Sequence, residues 1–302
     1  MKIALHSISY AGIFYKGKGL SLEEVIEKAA NFGYEGVEVM GKAPICSPFE
    51  FDEKRCKKAR ELAEKKGIDL CFLAGYVDLN KPDSLEREKE LLFAKESIRV
   101  ARDLGCPYIR IYSGGDHIYS GVSLWQQWDW SVEGLKKLLP YAEEMGVGIT
   151  LEVHTGVAQN VDTIEAMMKE VGWDKLTICL DAPLLALRDE SVEESVKKFG
   201  KKIVHSHVTD FVYLPPMVKY HDLRGLAMER FTRIHLVPLG KGIVKTEEFI
   251  KACREIGYER YFAYEVCTPF LSENYTPPTI EDVDKLVEHA ANWLKEKIEK
   301  YK

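Results

Sequence analysis

Ionisable residues close several of the later apolar runs of this chain, and three carboxylates and one imidazole stand out among them. Leu151-Glu152-Val153-His154 ends one run, Cys179-Leu180-Asp181 the next, His205-Ser206-His207-Val208-Thr209-Asp210 a third and Tyr264-Glu265-Val266-Cys267 a fourth. Charged groups at the ends of otherwise apolar strands are costly to bury unless something pairs with them. If the four runs were neighbouring strands, Glu152, Asp181, His207 and Glu265 would converge. Three converging carboxylates repel and raise one another's pKa values, and a divalent cation removes that repulsion. An oxygen-rich set with one imidazole suits Mn²⁺ or Co²⁺, with Zn²⁺ or Mg²⁺ as further options. Such a centre can polarise a carbonyl, while a carboxylate in reach moves the proton beside it.

The elements that would position these groups alternate along the whole chain. Short apolar runs at 2–7, 36–40, 69–73, 108–113, 148–153, 176–181, 203–208 and 261–267 predict buried strands. Amphipathic Lys/Glu-rich segments at 21–33, 52–67, 84–105, 130–146, 161–172, 191–200, 245–257 and 279–300 predict helices. Ser21 with Glu24 has capping-box spacing, and Gly33, Gly67, Gly105, Gly146 and Gly257 stand where helices should end. Eight strand–helix units with no linker composition predict an α/β fold, a single-domain (βα)8 TIM barrel, over a doubly wound sheet. No GxGxxG follows an early strand. Two connections are long, 113–129 and 209–244, and both fall on the face of a barrel that carries chemistry. They are expected to form a lid and a pocket wall.

Composition narrows the class. The 302 residues carry 42 Lys+Arg against 48 Asp+Glu, a net charge of −6, and 46% hydrophobic residues. This excludes disordered and collagen-like chains and offers no basic face for nucleic acid. Seven scattered cysteines without a CxxC pair argue against a disulfide framework and for a reducing compartment. No apolar run reaches membrane length and the first residues do not read as a signal peptide. A cytoplasmic protein that engages neither nucleic acid nor membrane is expected.

The stretches GYEGVEVM (33–40), LGCPYIRIYSG (104–114), TLEVHTG (150–156), LDAPLL (180–185), VHSHVTD (204–210), PLGKG (238–242) and YEVC (264–267) occur in an order that resembles the xylose isomerase-like TIM-barrel superfamily of sugar phosphate isomerases/epimerases. The resemblance spans residues 1–302 as one domain. It implies Glu152, Asp181, His207 and Glu265 as metal ligands, and Glu152 and Glu265 as the acid–base pair working on opposite faces of a sugar. The implied activity is a divalent-metal-dependent isomerase or epimerase moving a proton next to the carbonyl of a keto sugar through an enediolate, with a small-molecule carbohydrate as partner and homo-oligomers by family habit. SYAG (9–12) with MGKAPICSPFEFD (40–52) is similar to the barrel subunit of C-glycoside deglycosidases. That similarity gives the alternative, a lyase subunit eliminating a substituent from a 3-keto sugar conjugate, with a second subunit. An endonuclease IV-like repair enzyme would need further His/Glu ligands and a basic face. Two positions depart from the family pattern: Leu184 stands where Asp-x-x-His is usual, and 211–216 (FVYLPP) lacks the basic residue expected after the strand-seven His.

Further residues have two readings each. His154 shares the strand face of Glu152 and either meets substrate or orients a ligand carboxylate. His117, beside Asp116, is either an additional base or a solvated loop residue. His6 ends the first strand and could touch substrate, whereas His205, one layer below His207, reads as a buried structural group. Trp125, Trp128 and Trp130 offer sugar-stacking faces or lid packing. Lys241 and Arg224 are either anion holders or solvated charges.

Overall fold

The first apolar run forms strand Lys2–His6 (β1), which opens a closed parallel barrel in the computed structural model of the chain. The structure describes residues 1–115, 119–214, 217–220, 228–231, 234–270 and 276–302. The barrel continues through Gly36–Met40 (β2), Asp69–Ala74 (β3), Tyr108–Ser113 (β4), Gly148–Gly156 (β5), Leu176–Asp181 (β6) and Ile203–Val208 (β7). Phe211–Tyr213 (β8), Met217–Tyr220 (β9), Met228–Phe231 (β10) and Ile234–Leu236 (β11) follow outside it, and Tyr261–Tyr264 (β12) closes it. The order around the barrel is β1-β12-β7-β6-β5-β4-β3-β2, with β2 pairing back to β1. Every position of β2 and β7 is buried, because a parallel barrel strand is covered on the inside by its neighbours' side chains and on the outside by helices.

The helices are Leu22–Asn31 (α1), Glu53–Lys66 (α2), Ser84–Leu104 (α3), Leu124–Glu144 (α4), Val161–Val171 (α5), Ala182–Leu187 (α6), Val192–Phe199 (α7), Thr246–Glu255 (α8) and Ile280–Lys300 (α9). The α1 capping box forms as the Ser21/Glu24 spacing requires, with Glu24 Oε2 accepting from the Ser21 backbone N–H at 2.7 Å. Gly67 and Gly105 end α2 and α3 in the left-handed conformation, at φ 68° and 79°. All seven cysteines are free thiols. Among the described residues, no helix is long and apolar enough to cross a membrane.

The structure differs from the sequence reading mainly beyond the strand ends. Helix α4 begins at Leu124, because Ser123 and Gln126 make a capping box there. Trp125 and Trp128, expected in a loop, therefore sit on the helix with Trp130. The short helix α6 follows β6 directly, capped by Asp181, whose Oδ1 accepts from the Leu184 N–H at 2.7 Å. The 209–244 connection holds two small antiparallel pairs, β8 with β11 and β9 with β10.

Asp210 fixes both ends of that excursion. Its buried carboxylate accepts backbone N–H groups of Phe211 (3.0 Å), Gly240 (2.9 Å), Gly242 (2.8 Å) and Val244 (3.0 Å). Gly242 passes so close to Asp210 and to the Phe211 carbonyl that a Cβ there would overlap both. Asp210→Ala leaves these buried donors unpaired and should cost about 3 kcal/mol or more. That corresponds to a thermal midpoint lower by roughly 5–10 °C, with Asp210→Asn in between, as read by scanning fluorimetry. An unchanged midpoint in Asp210→Ala would contradict this account.

Candidate active site

The carboxyl-terminal ends of the barrel strands bring their polar side chains to one buried cluster. Register sets the levels: Asp181 pairs with His207 across β6–β7, and His6 pairs with Glu38 across β1–β2. His207 sits at the centre and is fully buried. Its Nδ1 lies 2.7 Å from Glu152 Oε1 and 3.3 Å from Asp181 Oδ2, and its Nε2 lies 2.9 Å from Glu38 Oε2. Glu38 Oε2 also accepts from His205 Nε2 at 2.8 Å. His205 is held by a near-parallel stack on Phe72, with ring centroids 4.0 Å apart. His6 stacks on His207 at 5.6 Å and places Nε2 3.8 Å from Glu265 Oε2. Arg110 on β4 approaches Glu152 Oε2 with Nη1 at 3.1 Å, and Cys267 donates to Glu265 Oε1 at 3.1 Å.

The electrostatics follow from burial and crowding. Burial alone would raise the Glu38 carboxyl, but His207, His6 and His205 hold it well below its ordinary value. Arg110, with His154 and His207, overcomes the burial of Glu152 and keeps it ionised. Burial, together with Asp181 and Glu152 and against the pull of His207, pushes Glu265 up to about 7. Burial lowers His6 to about 3 and also lowers His154, so both imidazoles are neutral. For His207 burial is outweighed by Cys179 and the surrounding carboxylates, which hold its pKa well above the usual value.

Above the cluster lies a cavity of about 340 Å³. Its polar lining includes His6, Tyr76, Arg110, Glu152, His154, Asp181, Thr209 and Glu265, and its apolar lining Ile8, Pro183, Leu184, Leu187, Phe211 and Ile234. The donor set suits a divalent cation: carboxylate oxygens of Glu152, Asp181 and Glu265 lie around the His207 imidazole, and Glu152 Oε2, buried, is ion-paired with Arg110 but accepts no hydrogen bond. The negative charge that keeps a proton on His207 would equally hold a cation.

A model of the xylose isomerase-like TIM barrel family matches residues 26–297. The chain belongs to that family. Among its curated relatives, the inosose dehydratase of Clostridium perfringens is 26% identical over 264 residues, covering 82% of this chain and 83% of that one. The fructoselysine 3-epimerase of Shigella flexneri is 23% identical over 273 residues, covering 87% and 91%. Among solved structures, the IOLI protein with a bound zinc atom superposes with a TM-score of 0.76 at 19% identity, covering 100% and 99% of the two chains, a likeness of fold.

The fold places Glu152, Asp181, His207 and Glu265 together, with His6 and His154 lining the same cavity. Trp125 is 75% exposed on the first turn of α4, and Lys241 is exposed in the turn before α8; neither lines the cavity. Trp128 Nε1 donates to Glu170 at 2.7 Å, and Trp130 stacks under the Arg87 guanidinium, so these rings serve helix packing. His117 and Arg224 lie outside the described residues.

Glu38 and Arg110 are parts of the cluster that the pattern of strand ends does not reveal. Each is the one charged residue inside an otherwise apolar run, GVEVM and YIRIYS, and that isolation was the available signal. Glu38→Ala strips the acceptor from two buried imidazoles and should lower the unfolding free energy by about 3 kcal/mol. The urea midpoint should fall at unchanged slope, and a wild-type midpoint would show that the imidazoles find other partners.

Proposed function

We propose that the chain is a divalent-metal-dependent isomerase or epimerase of keto sugars or their derivatives. The observation that carries this reading is the gathering of three carboxylates around one buried imidazole at the floor of a sugar-sized cavity. Its epimerase and dehydratase relatives support a sugar substrate. Glu152, Asp181, His207 and Glu265 would hold the cation, Mn²⁺ or Co²⁺ ahead of Zn²⁺ or Mg²⁺. Bound there, the ion supplies Lewis acidity to the carbonyl of the substrate.

The protein's own groups divide the remaining work. Glu38 accepts the Nε2–H of His207, which leaves Nδ1 directed at the ligand carboxylates. Glu152, kept ionised beside Arg110, removes the proton next to the carbonyl, and Glu265 returns one from the other side. Return to the opposite face of the same carbon is epimerisation, and delivery to the neighbouring carbon is isomerisation. Pro183, Leu184, Leu187 and Phe211 keep bulk water from that carbon.

One observation favours elimination as a second reading. His154 is neutral, half-buried and on the cavity wall two residues beyond Glu152, where it can accept the proton whose removal beside the carbonyl starts the loss of a hydroxyl or other β-substituent. The dehydratase relative performs a reaction of that class by name. In the lyase form a second subunit accompanies the barrel; as an epimerase the chain acts with copies of itself.

The two reactions separate in one assay. Metal-loaded protein is incubated with a panel of keto sugars and inososes in deuterium oxide and followed by proton NMR. Exchange beside the carbonyl with appearance of an epimer supports the first reading, and loss of a substituent to give a conjugated enone supports the second. Glu152→Gln and Glu265→Gln should each cut turnover by about 100-fold or more, while His207→Ala should lose the metal by elemental analysis. Glu38→Gln should weaken metal binding by about 10–100-fold with the four ligands intact. Stoichiometric metal in His207→Ala, or no exchange with any reconstituted metal, would sink the mechanism.

A further inference from the structure

Arg110 has more hydrogen-bonding capacity than the cluster uses. It is 2% exposed and lines the cavity, and only its Nη1 approaches a carboxylate, Glu152 Oε2. Nε and Nη2 have no hydrogen-bond partner, and the adjacent Tyr76 hydroxyl has none beyond its approach to this guanidinium. The guanidinium carbon lies 5.1 Å from the Tyr76 ring centroid and 4.4 Å from that of Tyr112. These rings fix the plane of the group without occupying its N–H bonds. A counter-ion for Glu152 requires one edge of the fork. Leaving the other edge buried and unpaired is unfavourable unless something entering the cavity accepts from it.

The geometry points to Arg110 as a substrate-orienting residue: its Nε–H and Nη2–H edge, with the Tyr76 hydroxyl, donates to oxygens of an uncharged polyhydroxy carbonyl compound and sets the reacting carbon beside Glu152. The charge of the described lining disfavours a phosphate ester or a free carboxylate as the bound form. Among the described residues Arg110 is the sole Lys or Arg lining the cavity, and it shares that lining with Glu152, Asp181 and Glu265. Even a divalent cation leaves this floor without surplus positive charge for an anion. The inference rests on the cavity being the sugar site proposed above, and it adds that the sugar is free or neutrally conjugated.

Calorimetric titration of the metal-loaded protein with free pentuloses, hexuloses and inososes, and with phosphate esters of the same ketoses, tests it. The wild type should bind a free compound more tightly than its ester. Arg110→Met should weaken that binding by about 10–100-fold at unchanged metal content. Arg110→Lys should restore only part, because the ammonium lacks the planar fork. Tyr76→Phe removes one hydroxyl, should weaken binding by a few fold, and carries the test if Arg110→Met does not fold. Three results would overturn the assignment: binding insensitive to Arg110→Met and Tyr76→Phe, a phosphate ester bound tighter through Arg110, or no binding by the wild type. Arg110-dependent binding without proton exchange would reject the reaction and leave the subsite standing. Exchange with Arg110-independent binding would do the reverse.

Discussion

Glu38 is shared by two imidazoles, and the geometry of the site follows from that sharing. An ionised carboxylate at the centre of a barrel is tolerable only where donors surround it. His205 and His207 supply two, at 2.8 and 2.9 Å, both through Nε2. With Nε2 committed, Nδ1 of His207 is presented to Glu152 and Asp181, and this fixes which nitrogen faces the cavity. The surrounding core accommodates the arrangement. Cys179 leaves room for the His207 ring, its Sγ 3.8 Å from Nε2, and Phe72 supplies a flat wall for His205. A larger residue at position 179 would tilt the His207 imidazole and misdirect the carboxylates that depend on it.

Two aspartates extend this order from the strands into the loops. Asp181 divides its oxygens, Oδ1 capping α6 and Oδ2 lying 3.3 Å from His207 Nδ1, so the helix that walls the cavity is indexed to the cluster. Asp210 ties the return of the long excursion to the end of β7 through backbone N–H groups alone. Neither depends on side-chain partners in the loops, so loop sequence can vary while the cavity walls stay in place. A barrel face built in this way keeps its chemical centre while its rim is rebuilt.

The eight barrel strands were legible to within a residue or two at most ends, because a two-sided buried strand is a short apolar run whatever its neighbours. The four strand-end residues were legible because ionisable groups there contradict the run that carries them. Glu38 and Arg110 contradict their runs equally, but they lie on early strands and away from strand ends, so topology alone gave no reason to join them to the cluster. The tryptophans show a different failure. Their sequence looks like a loop until Ser123 and Gln126 are read as a capping box, after which α4 must start six residues before Trp130. Helix α6 was hidden for the same reason, its cap being an aspartate already assigned to chemistry. The pairs within 209–244 carry no periodic signal at three or four residues each.

The departures from the family pattern acquire a physical meaning once the cavity is seen. Leu184, where a histidine is usual, lies on the cavity wall with Pro183 and Leu187, and Phe211, which opens the stretch lacking a basic residue, lines the cavity too. The α6 and β8 side of the cavity thus offers no hydrogen bonds from these positions. Groups without a hydrogen-bond partner line the cavity from several strands, as His6 on β1, Arg110 on β4, Tyr76 after β3 and Thr209 between β7 and β8. A polyhydroxy compound held by Arg110 and Tyr76, as proposed, would set its reacting carbon beside Glu152, and the Thr209 hydroxyl would leave the β7 side of the cavity able to accept or donate a further hydrogen bond.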